Sequence, residues 1–193
     1  QTSQRLQSLH SLESLTQEII RVLEELLDYE FGAVLLIDKS TKKLLPFALS
    51  DQGKGTAFID KDKAYVSSRD LYLGKGITGS VAQTGQSIRI GDTRQDKHYF
   101  SMREDIRSEL CVPLINKDEI IGVINMETTQ LNAYSETDQR VLETAASQIA
   151  IAIDNANLYS NLEKSHTDLS LAYDNTLKEW AHALELRDVD TKG

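Results

Sequence analysis

The chain has 193 residues, of which 40% are hydrophobic and 26% charged, a balance typical of a folded domain. Its formal net charge of −9 disfavours binding to nucleic acid or to an anionic membrane, since both repel an acidic protein. The single cysteine, Cys111, excludes an internal disulfide and fits a reducing compartment. We therefore expect a cytoplasmic protein that binds neither nucleic acid nor a membrane.

The first predicted element is an amphipathic helix over residues 1–28. Its leucine, isoleucine and valine residues recur every three or four positions, which places them on one face of a helix. Because exposed apolar faces are rare on soluble monomers, this face favours pairing with a second helix. The predicted contact residues are Leu9, Leu12 and Ile19.

Residues 29–160 alternate short apolar runs with turn residues, the pattern of a domain that mixes strands with helices. A short helix is predicted within 73–85, ending at Gly85, where glycine can adopt the left-handed conformation of a helix stop. The hairpin signal is strongest around Asn116, Lys117 and Asp118. The predicted strands are residues 31–37, 43–49, 87–91, 109–115 and 119–127.

One long helix is predicted to end the chain, because residues 123–192 contain neither glycine nor proline. Ser135 is its predicted N-cap, and Asp138 lies in its first turn near the positive end of the helix dipole. At 1.5 Å per residue it would be about 80 Å long, against about 40 Å for a domain of ordinary size. Residues 161–193 are therefore expected to be a linker helix that needs a partner.

The linker carries a stripe of large, mostly apolar side chains at spacings of three and four residues, with His166 between Leu162 and Leu169. A solitary helix would leave this stripe in water, so we predict a homodimer in which two copies pair in parallel through it. The predicted contact residues are Leu158, Leu162, Leu169, Tyr173, Leu177, Trp180 and Leu184.

Five segments in a fixed order resemble the GAF domain family. They are residues 76–82, 90–92, 107–114 and 121–124, and Asp138 with the apolar helix that follows it. The resemblance implies an α+β fold, in which helices flank a GAF-like central antiparallel sheet and a small-molecule pocket lies under loops on one face. Long N- and C-terminal signalling helices would extend from this domain. A sensory function with an unknown small-molecule ligand is the expectation that follows.

The same resemblance implies candidate ligand-binding positions, carried over by alignment. They are Ile77, Thr78, Asp92, His98, Tyr99, Met102, Ile106, Arg107 and Asn125. Family members that bind cyclic nucleotides often carry Asn-Lys, then Phe, then Asp-Glu before the last helix. Here Thr128 and Thr129 stand at the first pair, Tyr134 near the Phe, and Asp138 with Gln139 at the last pair, so the lysine–aspartate pair of that motif is absent.

The last fourteen residues, 180–193, resemble the opening helix of HD-type phosphohydrolases, particularly the HD-GYP class that hydrolyses cyclic di-GMP. The resemblance implies that this chain is part of a longer protein, in which a metal-dependent phosphohydrolase domain follows in cis. None of that enzyme's metal ligands would lie within residues 1–193.

The sequence shows no nucleophile–base pair and no paired carboxylates, and its four histidines are far apart. We therefore expect no catalysis, no metal and no cofactor in this chain, and we expect Cys111 to be a buried structural thiol. Two functions stay open. The domain is either a sensor that binds a small molecule and signals through its helices, or a ligand-free GAF-fold module for dimerisation and interaction.

Overall fold

The computed structural model of the protein describes Thr16, Leu23 and residues 30–51, 71–97, 99 and 105–190, with the backbone alone at 50, 51, 160, 174, 177 and 179–190. Thr16 and Leu23 are both helical and buried, as expected for Leu23 on the apolar face of the first helix. The proposed contact residues Leu9, Leu12 and Ile19 lie outside the described residues.

A five-stranded antiparallel sheet is the centre of the described part of the chain, with the strand order β2-β1-β5-β4-β3. The strands are β1 (Phe31–Ile37), β2 (Leu44–Asp51), β3 (Ile88–Ile90), β4 (Ser108–Asn116) and β5 (Glu119–Thr128). Helix α1 is Gly76–Thr84, helix α2 is Glu136–Asp190, and a 3-10 turn covers Thr93–Gln95. The α+β fold and the predicted hairpin at residues 116–118 are therefore confirmed.

The β4–β5 hairpin contains a bulge that sets which side chains face each other. Lys117 and Asp118 form its two-residue turn with φ of 46° and 68°, the left-handed pair that hairpin turns favour. Next to the turn, Ile115 pairs with Ile120, but one step further Leu114 pairs with Gly122. The residue between, Ile121, is therefore extra, and every later pair is shifted by one position.

The two faces of the sheet are covered separately. Buried residues of α1 pack with Leu35, Cys111 and Val123 on one face. On the other face of the same strands, Leu110 and Ile124 are fully buried, because successive side chains of a strand alternate between faces. The first part of α2 is buried along one side at helical spacing, through Leu142, Ala146, Ile149 and Ile153.

Helix α2 begins as predicted. The Ser135 N–H donates to the Asp138 carboxylate at 2.7 Å, and the Asp138 N–H donates to the Ser135 hydroxyl at 3.3 Å, which is a reciprocal cap. The helix is 55 residues long without a break. No helix in the described part of the chain is both long enough and apolar enough to cross a membrane.

The chain divides into two compact units, Gln1–Asp154 and Asn155–Gly193. Within the second unit, the described members of the apolar stripe are exposed to solvent: Leu158, Leu162, Leu169 and Tyr173. The side chains of the other three members, Leu177, Trp180 and Leu184, are outside the described part of the structure.

Candidate functional site

Helix α1 forms the cover of the candidate site. It follows the left-handed residue Gly74, begins at Gly76, which is also left-handed, and is capped at its end by Gly85. The Gly85 N–H donates to the Val81 carbonyl at 2.8 Å, as predicted for a glycine stop. Ile77 on its first turn is buried in the same apolar cluster as Cys111, and Tyr99 packs against that cluster. Thr78, the next residue of α1, is half-buried.

Three polar residues lie on the sheet face that α1 covers. The bulged register places Glu109 opposite Glu127, and Cys111 opposite Asn125. Paired residues share a face, and Cys111 packs under α1, so all of these side chains point to the same layer. Glu109, Asn125 and Glu127 are 3%, 7% and 6% exposed. We call these three residues the acceptor patch.

Hydrogen bonding within the acceptor patch is incomplete. The Asn125 side-chain amide donates to the Glu127 carboxylate at 3.4 Å. The Oε2 atom of Glu109 and the Oδ1 atom of Asn125, in contrast, are buried and have no hydrogen-bond partner among the residues that the structure describes. A buried polar atom without a partner costs about 1–3 kcal/mol, so such atoms point to a function or to a bound group.

Burial, followed by the charge of Glu127, raises the pKa of Glu109 well above its usual 4.5. Asp96 raises this pKa further, whereas the hydrogen bond from Asn125 lowers it. Burial also raises the pKa of the Cys111 thiol, with smaller contributions from the two glutamates. A thiol kept protonated is a poor nucleophile, so Cys111 is a buried structural cysteine, as predicted.

Asp92 and Arg107, both candidate ligand residues, bind each other. The Arg107 guanidinium donates to both Asp92 carboxylate oxygens, at 3.3 and 3.2 Å, and holds the pKa of Asp92 below its usual value. Asp92 also accepts from the Arg94 N–H at 3.3 Å and so caps the 3-10 turn. The buried Ile106 accepts from the Thr93 hydroxyl at 2.7 Å through its carbonyl.

The structure therefore shows two groups among the predicted ligand residues. Ile77, Tyr99 and Asn125 border the layer under α1, while Asp92 and Arg107 are joined in an ion pair between the 3-10 turn and the start of β4. His98 and Met102 lie outside the described residues.

Sequence reasoning missed Glu109 and Glu127, so the expectation that the chain has no paired carboxylates is wrong. A signal was present, because Asn125 and Glu127 are two residues apart in an apolar strand and must share a face. The bulge at Ile121, which brings Glu109 to them, was not predicted.

The positions aligned with the cyclic-nucleotide motif serve other purposes here. Thr128 is fully buried, and the Thr129 hydroxyl donates to Glu30 at 2.6 Å. Asp138 caps α2 through Ser135. The phenol of Tyr134 is buried, and its pKa is raised, first by burial and then by the nearby acids. Among the described residues, no three His, Cys, Asp or Glu side chains are placed to hold a metal ion.

Comparison with known proteins identifies the family of this chain. The GAF domain family model matches residues 10–154. The probable 3′,5′-cyclic phosphodiesterase pde-5 of Caenorhabditis elegans is 24% identical over 84% of the chain, which covers 24% of that protein. The dual 3′,5′-cyclic-AMP and -GMP phosphodiesterase 11A of Takifugu rubripes is 28% identical over 80% of the chain, which covers 18% of that protein. The chain thus spans about a quarter or less of either relative.

Solved structures agree on the fold. The GAF domain of a phosphoenolpyruvate-protein phosphotransferase from Coxiella burnetii has a TM-score of 0.67 at 20% identity, over 82% of this chain and 94% of that one. The GAF domain/HD domain protein from Geobacter sulfurreducens has a TM-score of 0.63 at 17% identity, over 78% and 96%. The type II free methionine-R-sulfoxide reductase from Thermoplasma acidophilum has a TM-score of 0.63 at 19% identity, over 77% and 96%. With the family model matching most of its length, this chain belongs to the GAF domain family.

Proposed function

We propose that this GAF domain is a sensory and regulatory domain. It binds a small molecule in the layer between α1 and the sheet, and it signals through α2 in a parallel homodimer. The output is an HD-type phosphohydrolase domain that follows in cis and that acts on cyclic di-GMP or a related phosphodiester. The domain itself is regulatory and performs no catalysis.

The dimer proposal is supported by the exposed apolar stripe on the part of α2 that belongs to the second unit, Asn155–Gly193. Leu162 and Leu169 are 67% and 71% exposed, and at 100° per residue they lie within about 20° of each other on the helix. Leu158 and Tyr173 lie on the same side and are also exposed. Burying a large apolar side chain contributes about 1.5–3 kcal/mol, so pairing of two such stripes is strongly favoured.

Leu171 provides a matched control. It is also exposed, at 56%, but it lies about 180° from Leu162 on the helix. We expect the double variant Leu162→Asp, Leu169→Asp to be a monomer in light scattering coupled to gel filtration. Leu171→Asp introduces the same chemistry on the opposite side and should remain a dimer. A dimeric double variant, or a monomeric control, would contradict pairing through this stripe.

Two observations support the phosphohydrolase output. Residues 180–193 resemble the start of an HD-type domain, and a solved protein of the same fold is described as containing both a GAF and an HD domain. The matched curated relatives are named as cyclic-nucleotide phosphodiesterases, in which this chain corresponds to a small part of the length. Both observations support a GAF domain that is joined to an enzyme of phosphodiester hydrolysis.

The regulatory claim is tested in the longer protein. Hydrolysis of cyclic di-GMP should be measured with and without a panel of nucleotides and small metabolites, in the unaltered protein and in the Leu162→Asp, Leu169→Asp variant. We expect a metabolite to change the rate in the unaltered protein and to lose that effect in the variant. If pairing changes the rate but no metabolite does, the domain is the ligand-free interaction module instead.

A further inference from the structure

The chemistry of the acceptor patch restricts the class of ligand. When Glu109 is ionised, the two acceptor-patch atoms without a partner among the described residues, Glu109 Oε2 and Asn125 Oδ1, are both hydrogen-bond acceptors, and the third member, Glu127, is a carboxylate. A group that completes this patch must therefore supply N–H or O–H donors. A phosphate or carboxylate would add further acceptors and more negative charge, which the patch would repel.

The charges near Glu109 also favour a ligand with hydrogen-bond donors and a positive charge. The charged side chains that alter the pKa of Glu109, namely Glu127 and Asp96, are both acidic. The guanidinium of Arg107 is held in its bidentate bond with Asp92. Glu109 and Glu127 face each other on a buried sheet face, and Asp96 is near enough to act on Glu109, so a cation bound beside Glu109 would favour its ionised form.

We propose that the acceptor patch binds the primary ammonium group of a small organic ligand, with its three N–H donors directed to Glu109, Asn125 and Glu127. An ammonium group carries three donors and no acceptor, which matches three acceptor residues on one sheet face. This inference rests on the proposed function, because it takes the layer under α1 to be the ligand site.

The surroundings also define the rest of the ligand. Cys111, which lies opposite Asn125, belongs to the apolar cluster that includes Ile77 and contacts Tyr99. The layer is thus polar at the acceptor patch and apolar beside it. An ammonium carried on a short apolar chain fits this arrangement, because each part of the ligand then meets side chains of its own polarity.

The test uses the full chain and three simple probes. n-Butylammonium has charge, donors and an apolar chain, 1-butanol lacks the charge, and tetramethylammonium has charge without N–H donors. Binding is followed by NMR through the side-chain amide of Asn125, assigned from its loss in Asn125→Asp. We expect n-butylammonium alone to produce a saturable shift of this resonance.

Isosteric variants then assign the effect to the patch. Glu109→Gln keeps the shape but cannot ionise when the cation binds. It should therefore weaken the binding of n-butylammonium about tenfold or more, as loss of a charge-assisted hydrogen bond does. Glu127→Gln should act in the same direction and serves as the second variant. Glu119→Gln, at an exposed position of β5 that pairs with Lys39 on the surface, should bind as the unaltered protein does.

No saturable shift, an equal shift with 1-butanol or tetramethylammonium, or unchanged affinity in Glu109→Gln would each overturn the ammonium assignment. The proposal that the domain binds some small molecule under α1 is tested separately, through the backbone amide resonances of α1. If neutral or anionic metabolites shift the α1 resonances while the ammonium probes do not, the sensory function is supported and the ammonium proposal is contradicted. If no compound shifts α1, both ligand proposals fall.

Discussion

The two faces of strands β4 and β5 differ in the polarity of their buried side chains. One face carries the fully buried apolar residues Leu110, Val112, Ile124 and Met126. The other face, equally hidden from water, carries Glu109, Asn125 and Glu127 beside the apolar Cys111 and Val123. Two acceptor atoms of these polar residues have no partner among the described residues. Burial alone therefore does not identify the structural core of this domain. The first face stabilises the fold by burying apolar side chains. The buried polar atoms without partners on the second face cost stability, as is common at binding sites.

The largest expected effect is on the apolar face. Leu110→Ala removes a fully buried side chain and should lower the free energy of unfolding by about 2–5 kcal/mol, through lost burial and the cavity left behind. Urea denaturation at fixed protein concentration measures this change. A loss as small as that caused by Glu109→Gln would contradict the division between the two faces.

The contact between β1 and β5 should be nearly as sensitive. A Cβ atom at Gly122 would lie 2.2 Å from the backbone oxygen of Leu35, which cannot move as a side chain could. Gly122→Ala should therefore force the strands apart and cost about 1–3 kcal/mol. The same denaturation experiment checks it, and unchanged stability would show that the two strands separate easily.

A third prediction uses pH to separate the faces. Because the pKa of Glu109 is raised in the folded state, its contribution to stability is present below about pH 4.5 and is lost as the pH rises through the folded pKa. Relative to Glu109→Gln, the unaltered protein should thus lose stability as the pH increases above that value. Thermal unfolding of both proteins across this range is the measurement. Parallel curves would mean that Glu109 titrates normally.

The Asp92–Arg107 pair has the opposite dependence. The pKa of Asp92 is lowered, chiefly by the hydrogen bond from Arg107, so its contribution is present above about pH 3.8 and is lost as the pH falls. Above about pH 5, Asp92 is ionised in both the folded and the unfolded protein, so it adds nothing to the pH dependence of stability. The unaltered protein and Glu109→Gln should therefore be compared in that range.

The smallest expected effect lies in the hairpin turn. Asp118 adopts φ of 68°, a conformation that glycine reaches without strain. Asp118→Gly should raise the free energy of unfolding by up to about 1 kcal/mol, whereas Asp118→Ala, which keeps a side chain, should not. Both are measured by urea denaturation, and equal effects of the two substitutions would argue against a strained turn.

The sequence was sufficient to predict the elements, because their signals are local. The glycine stop at Gly85, the cap formed by Ser135 and Asp138, and the turn at Lys117 and Asp118 each depend on a few neighbouring residues, and all are confirmed. The long glycine- and proline-free helix is confirmed for the same reason.

The site was less predictable, because it depends on register. An unbulged hairpin that pairs Asn116 with Glu119 would place Glu109 opposite Met126, on the apolar side of β5. Only the extra residue at Ile121 brings Glu109 to Glu127, and nothing in the local sequence marks it. The pairing of Asp92 with Arg107 likewise depends on the path of the chain between them.

The bulge also bears on how this domain can be altered or compared. Deleting the single residue Ile121 would leave Glu109, Asn125 and Glu127 in the sequence and yet turn Glu109 to the opposite face of the sheet from the other two. A design that introduces the three polar residues into a different GAF domain must therefore also include the bulge residue of β5. An alignment of relatives that ignores gaps at this point would match residues from opposite sides of the sheet.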